Sequence, residues 1–405
     1  MKKTLLLSVV ASGFLFAGGD IAPVEPAVVT PAPAPVAAPA SNWKFSGQGV
    51  VYYQTDDAGV SGAAVGDLFS QTSSGANAGL QLTATNDNLI GGIGFGAQLN
   101  GLGTLGLEED VVSNVMQIAG AELNSAYFSQ LYLTYGVDNT SIKVGRQELP
   151  KALSPFAYSE DWNVFKNTYN AAVVVNTDIK DTVLVGAWVR DLNSNGMHAD
   201  MNDFSSAKIY DIYDCGWMLT AQNKSIADLA LTGSFYYAND VANIFWADAQ
   251  YNAGVANIGL QGGCIDLKAA GADTTTAFGA KVSGKVDMFN LSAAYAHVNN
   301  GGLPILNFGG TTSVLYTDTA LNQALGSNLN LDMDKVAVSA NADVLGGNLA
   351  AVYAYEEQGA ADWNEVDVVY STNVTENLNA AVAYVYSDVV AGDVNLVRVV
   401  ARYNF

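Results

Sequence analysis

The sequence lacks an apolar run long enough to cross a bilayer as a helix. Such a helix needs about 20 apolar residues, and the longest mainly apolar run, residues 5–16, is shorter and lies at the start of the chain. It follows two lysines and leads into small residues, the layout of a secretory signal peptide. We therefore predict that residues 1–19 are removed on export and that no membrane helix follows.

Histidine and cysteine are scarce, with two of each in the chain. A Ser/His hydrolase needs a histidine beside its nucleophile, but His198 lies in a predicted loop and His297 near a strand end without a nucleophile motif. The sequence therefore does not predict an enzyme. Cys215 and Cys264 have no metal-site spacing and fall at predicted outer strand ends. An oxidising compartment permits a disulfide between them, and the residues leave open whether it forms.

Positive charge is also scarce. The chain has 17 Lys+Arg against 39 Asp+Glu, a formal net charge of −22, which excludes nucleic acid as an expected partner because phosphates would be repelled. The acidic loops Glu108-Glu109-Asp110 and Asp200 with Asp203 are candidates for Ca²⁺ that bridges to lipopolysaccharide. Solvated acidic loops are commoner and no EF-hand spacing is present, so no resident cofactor or metal is predicted.

Proline is concentrated at one end of the chain. Six of the nine prolines lie in residues 22–40, and an Ala/Pro-rich composition favours extended chain and builds no core. We interpret residues 20–41 as a periplasmic linker. Between residues 40 and 300 only Pro150 and Pro155 occur, so residues 42–405 can be rich in strands.

Apolar and polar residues alternate through that region. In WKFSGQGVVYYQ, residues 43–54, the apolar and polar side chains point to opposite faces. Similar segments of about ten residues recur to the C-terminus, and that length crosses a bilayer at a tilt. Soluble sandwiches also alternate, but their strands average about 5–6 residues. We count eighteen such strands; several are weak, which leaves sixteen open.

The links between these strands alternate in length. Short links lie near residues 87–89, 137–140, 178–181 and 223–227, whereas the links at 56–75, 101–125, 147–167 and 299–333 are long. Short turns on one side and long loops on the other are typical of an outer-membrane barrel. The predicted fold is therefore all-β: a transmembrane antiparallel β-barrel with short periplasmic turns and long extracellular loops.

Aromatic residues mark the ends of the apolar faces. Trp43, Phe45 and Tyr53 lie at the ends of the first strand, and others follow the same placement, as expected of interfacial girdles. The last strand ends in Arg-Tyr-Asn-Phe with Tyr403 and Phe405 on its apolar face. This ending resembles the assembly signal of bacterial outer-membrane barrels.

If the apolar face contacts lipid, the alternate residues line the interior. Basic residues dominate the charged positions predicted for that lumen wall: Lys143, Arg190, Lys281, Lys285, Arg398 and Arg402, together with Lys44 and Lys335. Charges avoid lipid in any case, so the pattern alone indicates a polar interior. A barrel of sixteen or eighteen strands is too wide for side chains to fill, so that interior holds water.

The segment 146–167 interrupts the strand pattern. Its two prolines cannot donate to a strand ladder, and it is the third of the outer loops. We predict that it folds inward and narrows the pore, with charged residues that face the basic wall and select solutes by size and charge. The alternative is a loop packed on the outer rim. The predicted constriction residues are Arg146, Glu148, Lys151, Glu160, Asp161 and Lys166.

The same segment carries a family resemblance. Gly145-Arg146-Gln147-Glu148-Leu149, followed by Ser154-Pro155, Asp161-Trp162-Asn163-Val164 and Asn167-Thr168-Tyr169, resembles the third-loop region of Opr-type outer-membrane porins, particularly the major porins of campylobacter-like bacteria. The resemblance implies an eighteen-stranded, often trimeric channel with this loop as its constriction. The chain departs from the substrate-specific Opr channels because it lacks a dense arginine ladder.

Together these features predict a passive outer-membrane diffusion channel of a Gram-negative bacterium. Its expected partners are ions, small hydrophilic solutes, outer-membrane lipid, lipopolysaccharide and two further copies of the chain. The alternative is a non-conducting structural or adhesive barrel whose long loops bind a host, a phage or lipopolysaccharide. In that case segment 146–167 would plug the lumen completely.

Overall fold

The computed structural model describes residues 42–59, 64–108, 110–117, 124–193, 216–320, 331–389 and 393–405. The predicted signal peptide and linker, Cys215 and three of the acidic loop residues (Glu109, Asp200 and Asp203) lie outside these ranges. Cys264 lies on the outward face of its strand, with the exposed Leu260, and a disulfide to Cys215 stays the open alternative that the sequence left. No helix in the described ranges is long and apolar enough to span a membrane.

Eighteen antiparallel strands form one closed sheet, which confirms the predicted fold and strand count. The strands are β1 (Trp43–Asp56), β2 (Ser74–Ile90), β3 (Ile93–Gly103), β4 (Ser125–Val137), β5 (Thr140–Gln147), β6 (Thr168–Asn176), β7 (Thr182–Asn193), β8 (Gly216–Ile226), β9 (Leu229–Ala238), β10 (Ala242–Asn252), β11 (Asn257–Leu267), β12 (Thr275–Val286), β13 (Phe289–Val298), β14 (Met333–Val344), β15 (Gly347–Gln358), β16 (Ala361–Asn373), β17 (Leu378–Ser387) and β18 (Val394–Asn404). Two short 3-10 helices, Gln71–Ser73 and Lys151–Leu153, lie in loops.

Each strand pairs with its neighbours in sequence, and β1 pairs with β18 to close the barrel. Closure leaves no sheet edge, so the strand backbone groups can bond to one another in an apolar surrounding. The links alternate as predicted. Short turns, such as 138–139 and 345–346, lie at one end of the barrel, and longer links, such as 148–167, lie at the other.

Side chains alternate along each strand between the lipid-facing side and the lumen-facing side of the wall. On β1, Val51 is 57% exposed whereas Tyr52 is fully buried, and the same alternation recurs around the barrel. The exposed apolar band includes Leu82, Leu133, Val144, Leu219, Phe245, Leu260, Phe278, Val282, Val336, Val382 and Val399. An apolar belt facing outward and polar residues facing inward are what a bilayer demands of a barrel wall.

The C-terminal residues lie at the seam between β1 and β18. The backbone of Phe405 exchanges hydrogen bonds with Gly47 in both directions, at 2.8 and 3.0 Å. The rings of Tyr403 and Phe405 stack 6.2 Å apart and are about half exposed on the outward face. A Cβ at position 47 would overlap the present position of the Phe405 ring, so the absence of a side chain there lets the ring lie over the seam. The predicted role of these residues as an assembly signal is consistent with their place at the closing seam and stays a prediction.

Candidate constriction and lumen

The link between β5 and β6, residues 148–167, lies inside the barrel; we call it inner loop A. Phe156 is fully buried. Its ring lies 5.8 Å from the Tyr236 ring and 5.4 Å from the Trp246 ring, both on the inward face of β9 and β10. At the opposite wall, Tyr52 of β1 donates a hydrogen bond to the Trp162 carbonyl at 2.7 Å. Loop A therefore spans the lumen from β9 and β10 to β1, rather than packing on the rim.

A second long link follows β13, and its described part, residues 299–320, also enters the lumen; we call these residues inner loop B. Ile305 and Leu315 are almost fully buried and belong to the same apolar cluster as Phe156. Sequence reasoning treated this link only as an outer loop that could bind a partner. The signal that could have revealed it is its apolar content, Leu303-Pro304-Ile305-Leu306 and Val314-Leu315, because a solvated loop gains nothing from such residues.

Glu160 joins the two inner loops. Its carboxylate accepts hydrogen bonds from the loop B residues Asn307 Nδ2 (2.8 Å), Thr312 N (2.9 Å) and Thr312 Oγ1 (2.6 Å), and from Thr311 N at 3.2 Å. Within loop A, Trp162 Nε1 donates to it at 2.5 Å. Glu160 is only 5% exposed, so its prediction as a charge that faces the pore was wrong. The carboxylate is buried because five donors, which the sequence does not reveal as neighbours, converge on it.

Tyr158 adds a second connection between the loops. Its hydroxyl lies 2.6 Å from Thr312 Oγ1 and donates to the Ser313 carbonyl at 3.1 Å. Burial raises the pKa of Tyr158 well above its ordinary value, so the hydroxyl stays protonated. Lys151 Nζ, predicted for the constriction, donates to the same Ser313 carbonyl at 2.9 Å. Lys151 therefore also holds loop A to loop B.

Three predicted constriction residues form a partly exposed charged group at the other end of loop A. Lys166 Nζ lies 2.8 Å from Asp161 Oδ1 and 3.7 Å from Glu148 Oε2, and these side chains are between 30% and 42% exposed. Burial lowers the pKa of Lys166, but the two carboxylates outweigh it and raise the pKa above its ordinary value. These side chains can meet a passing ion, which the buried Glu160 cannot.

Two arginines of β18 attach loop A to the wall. Arg402 donates to the carbonyls of Asn163 and Val164, both at 2.9 Å. Arg398 donates to Gln54 at 2.7 Å, and its guanidinium carbon lies 5.9 Å from the centre of the Trp162 ring. Both arginines point inward, as the alternation of β18 predicted.

The lysines of the wall face the lumen at other heights. Lys281 Nζ lies 4.8 Å from the centre of the Tyr316 ring in loop B, and Lys143 Nζ lies 3.8 Å from the Tyr132 ring of β4. Lys285 shares the inward parity of Lys281 and is exposed near the turn that follows β12. The sequence therefore predicted which side of the strand each lysine occupies, but not the aromatic rings beside two of them.

Arg146 and Arg190 differ from the other wall residues. Arg146 is 5% exposed and donates to Asn170 Oδ1 at 3.0 Å and to the Phe128 carbonyl at 3.4 Å, so it lies within the wall between β4 and β6. The prediction that Arg190 lines the lumen was wrong. The strand pairing skips Arg190 at a bulge between β6 and β7, and its side chain is 69% exposed. The apolar face of β7, with Val185 and Val189, packs inward against Phe156 of loop A, so Arg190 shares the outward face of Trp188.

Gly310 makes the close approach of the two loops feasible. A Cβ at this position would overlap the Glu160 carboxyl group. We expect Gly310→Val to separate the loops and to raise the single-channel conductance, with barrel assembly unchanged because the strands are not touched. Gly233→Val is the comparison, because Gly233 is exposed on the outward face of β9 and a Cβ there meets no atom within 4 Å; it should leave conductance as in the unmodified protein. Equal conductance of both variants would mean that this contact does not hold the loops together.

No protein-family model and no curated protein sequence matches this chain. Solved structures do match it. OccK8 (OprE) of Pseudomonas aeruginosa superposes with a TM-score of 0.68 at 16% identity, over 90% of this chain and 98% of that one. The chain has the fold of the Occ and Opd proteins. OccAB3 of Acinetobacter baumannii matches with a TM-score of 0.69 at 13% identity, over 90% of this chain and all (100%) of that one. Pseudomonas aeruginosa OpdK, solved with vanillate, matches with a TM-score of 0.68 at 16% identity, over 89% of this chain and 98% of that one.

In the described ranges, no group of three or more His, Cys, Asp or Glu side chains is arranged to hold a metal ion. His297 lies in a small hydrogen-bonded group on the outside of the barrel. Its Nδ1 lies 3.0 Å from Asp334 Oδ1, and Tyr295 also donates to that oxygen at 2.5 Å. All three residues are exposed on the outward face of β13 and β14, where the lumen cannot deliver a substrate.

Proposed function

We propose that this protein is a porin of the Gram-negative outer membrane, a passive channel for ions and small hydrophilic solutes that is narrowed by two inner loops. The observation that carries the proposal is loop A, which crosses the inside of an eighteen-stranded barrel and is attached to opposite walls. A wall of this strand number encloses water. Partly exposed charges on loop A and basic residues on the wall border that water and can select solutes by charge.

The finer parts of the proposal rest on resemblance. The fold likeness to OprE agrees with the Opr-type third-loop motif, and the nearer relation to the major porins of campylobacter-like bacteria rests on that motif alone. A homotrimer is what the resemblance implies, and contact with lipopolysaccharide is what the acidic outer loops suggest. A Ca²⁺ ion on the acidic loops also stays a proposal. Because OpdK was solved with vanillate, a small carboxylate is a useful test solute beside inorganic ions.

The test is single-channel recording of the purified full-length protein in a planar bilayer under a salt gradient. We expect discrete conductance steps. Lys281→Glu and Lys166→Glu should each move the reversal potential toward that of the cation, because both lysines are partly exposed in the lumen. A unit charge about 5 Å from a passing ion changes the energy of that ion by about 1 kcal/mol in water. Each unit of charge that a substitution removes or adds should therefore change the cation-to-anion permeability ratio by about fivefold. Salt reduces this effect, so the gradient is kept at low ionic strength.

Arg190→Glu is the matched control, because it makes the same change of charge at an exposed bulge whose side chain does not point into the lumen. Its reversal potential should equal that of the unmodified protein. The absence of conductance in a protein that forms a folded barrel would favour the alternative, a plugged barrel that acts through its outer loops. Conductance with a reversal potential unchanged by both lumen variants would place Lys281 and Lys166 away from the ion path.

A further inference from the structure

A third link, the one between β3 and β4, also reaches loop A. Its described segment 110–117 lies along β2, where Ala76 donates its backbone N–H to the Asn114 carbonyl at 3.2 Å. At the end of this segment, Gln117 donates its own backbone N–H to Asn77 Oδ1 at 2.8 Å. Gln117 is only 3% exposed. Its backbone is therefore attached to the barrel wall, and its side chain extends from a fixed point.

The side-chain amide of Gln117 binds the backbone of Phe165 in loop A. Its Nε2 donates to the Phe165 carbonyl at 3.2 Å, and its Oε1 accepts from the Phe165 N–H at 2.9 Å. Such a pair of bonds needs a donor and an acceptor side by side, which the amide group of glutamine supplies without a charge. The Phe165 ring lies against Gly79 of β2, where a Cβ would overlap it. Both the backbone and the side chain of Phe165 are thus held at β2.

The residue after Phe165 is Lys166, the cation of the charged group on loop A. Its Nζ lies 2.8 Å from Asp161 Oδ1 and 3.7 Å from Glu148 Oε2. Because Lys166 follows Phe165 directly, the bonds of Gln117 also fix the point from which the ammonium group reaches the two carboxylates. The 3.7 Å contact is close to the longest distance of an ion pair, about 4 Å. A small shift of the Lys166 backbone is therefore enough to lose this contact.

Glu148, at the other end of loop A, is held in the same manner by Gln130 of β4. Gln130 Nε2 donates to Glu148 Oε1 at 2.9 Å, and Gln130 Oε1 accepts from the Glu148 N–H at 3.4 Å. A β-bulge lies directly before Gln130, since the pairing of β3 with β4 skips Ser129. The Ser129 hydroxyl donates to Gln98 Oε1 of β3 at 2.7 Å. Bulges turn side chains toward functional sites, and this one turns Gln130 toward loop A.

We propose that Gln117 and Gln130 are positioning residues for ion selectivity: they hold Lys166 and Glu148 at the separation that sets the charge a passing ion meets. The inference rests on the proposed porin function and assigns residues to its ion preference. Both amides are neutral, so they orient the charged group without adding to its one ammonium group and two carboxylates.

Loss of either amide should expose negative charge to the ion path. Without Gln117, Phe165 is released, and the ammonium group of Lys166 loses its longer contact, the one to Glu148. Without Gln130, the Glu148 carboxylate loses a donor and is free to turn away from Lys166. The attraction between opposite charges falls with distance, so in both cases a carboxylate acts on the passing ion with less neutralisation by Lys166. The channel should therefore become more selective for cations.

The experiment records reversal potentials of the full-length protein in a planar bilayer, under a potassium chloride gradient at low ionic strength and about pH 8. This pH is chosen because burial raises the pKa of Glu148 above its ordinary value. We expect Gln117→Ala and Gln130→Ala each to raise the cation-to-anion permeability ratio by about twofold. If an alanine variant does not fold, the methionine variant, which keeps the side-chain volume, takes its place.

Gln222→Ala is the matched control. Gln222 also points inward and is 9% exposed, but its amide donates to Thr232 of the neighbouring strand at 3.3 Å. The permeability ratio of this variant should equal that of the unmodified protein.

A set of double variants separates positioning from a general loosening of loop A. In a Lys166→Met background, Gln117→Ala should leave the reversal potential unchanged, because it acts through the ammonium group that is now absent. Gln130→Ala should likewise have no effect in a Glu148→Gln background. Substitutions that act through a shared group are not additive. An equal effect with and without the charged partner would overturn the proposal.

A further readout does not depend on conduction. A nitroxide spin label is attached at Asp161→Cys, in a background with both native cysteines replaced by serine; the Asp161 side chain is 42% exposed, so the label can react there. Gln117→Ala and Gln130→Ala should each increase the mobility of the label, and Gln222→Ala should not.

The two proposals fail in different ways. Conductance with a permeability ratio that neither Gln117→Ala nor Gln130→Ala changes would overturn the positioning role and leave the porin proposal standing. Absence of conductance in the folded, unmodified protein would overturn the porin proposal. In that case the spin label still decides whether the two glutamines hold loop A: increased mobility supports this role, and unchanged mobility overturns it.

Discussion

Glu160→Ala is expected to widen the channel, with an increase of roughly twofold in single-channel conductance. The substitution leaves five donors of Trp162, Asn307, Thr311 and Thr312 without their carboxylate acceptor. Each buried donor left unpaired costs about 1–3 kcal/mol. Because the barrel wall carries its own ladder of hydrogen bonds, this cost is relieved when the loops separate and water enters, rather than when the wall unfolds.

Two companions make the Glu160 experiment decisive. Glu160→Gln keeps one acceptor oxygen and should give an intermediate conductance. Glu376→Ala removes a carboxylate from an exposed turn and should change nothing. The fraction of folded barrel, measured by its heat-dependent mobility in gel electrophoresis, should be equal in all three variants. Folded Glu160→Ala with the conductance of the unmodified protein would show that the loops stay together without the carboxylate.

Arg402→Met is expected to have the second large effect, a rise in conductance together with a shift toward cation selectivity. The guanidinium donates to Gln48 on β1 at 2.8 Å and to the two loop A carbonyls of Asn163 and Val164. Methionine removes both the positive charge of Arg402 and its hydrogen-bond donors. The two carbonyls are buried with their residues at 4% and 0% exposure, so losing their donor favours movement of loop A toward water.

Arg402→Lys separates the two contributions. Lysine keeps the charge but cannot donate in the forked geometry that reaches both carbonyls. We expect its conductance to rise as in the methionine variant while its reversal potential stays near that of the unmodified protein. Arg190→Met, at the exposed bulge, is the matched control and should alter neither quantity. Equal conductance in all four proteins would mean that Arg402 does not restrain loop A.

The barrel could be predicted because its surroundings impose a simple rule on each strand. In Trp43–Asp56, lipid on one side and polar lumen on the other require alternation, so the pattern is visible residue by residue. The same rule placed Lys281, Arg398 and Arg402 on the inner face. It failed at Arg190, because the apolar face of β7 packs inward against loop A rather than outward against lipid. The alternation of one strand does not show which of these two apolar surroundings its apolar face meets.

The sequence by itself determined the wall, the alternation of turns and loops, and the position of one inward loop. Only the tertiary structure decided how the lumen is occupied, because loops A and B meet across about 150 residues of chain, as in the 147-residue separation of Asn307 from Glu160. Local patterning describes which way a side chain points from its own strand. Pairing between distant segments depends on which groups closure of the barrel brings together. Glu160, predicted as a pore charge, is therefore buried between the two loops, and Lys335, predicted on the lumen wall, is buried beside Glu356.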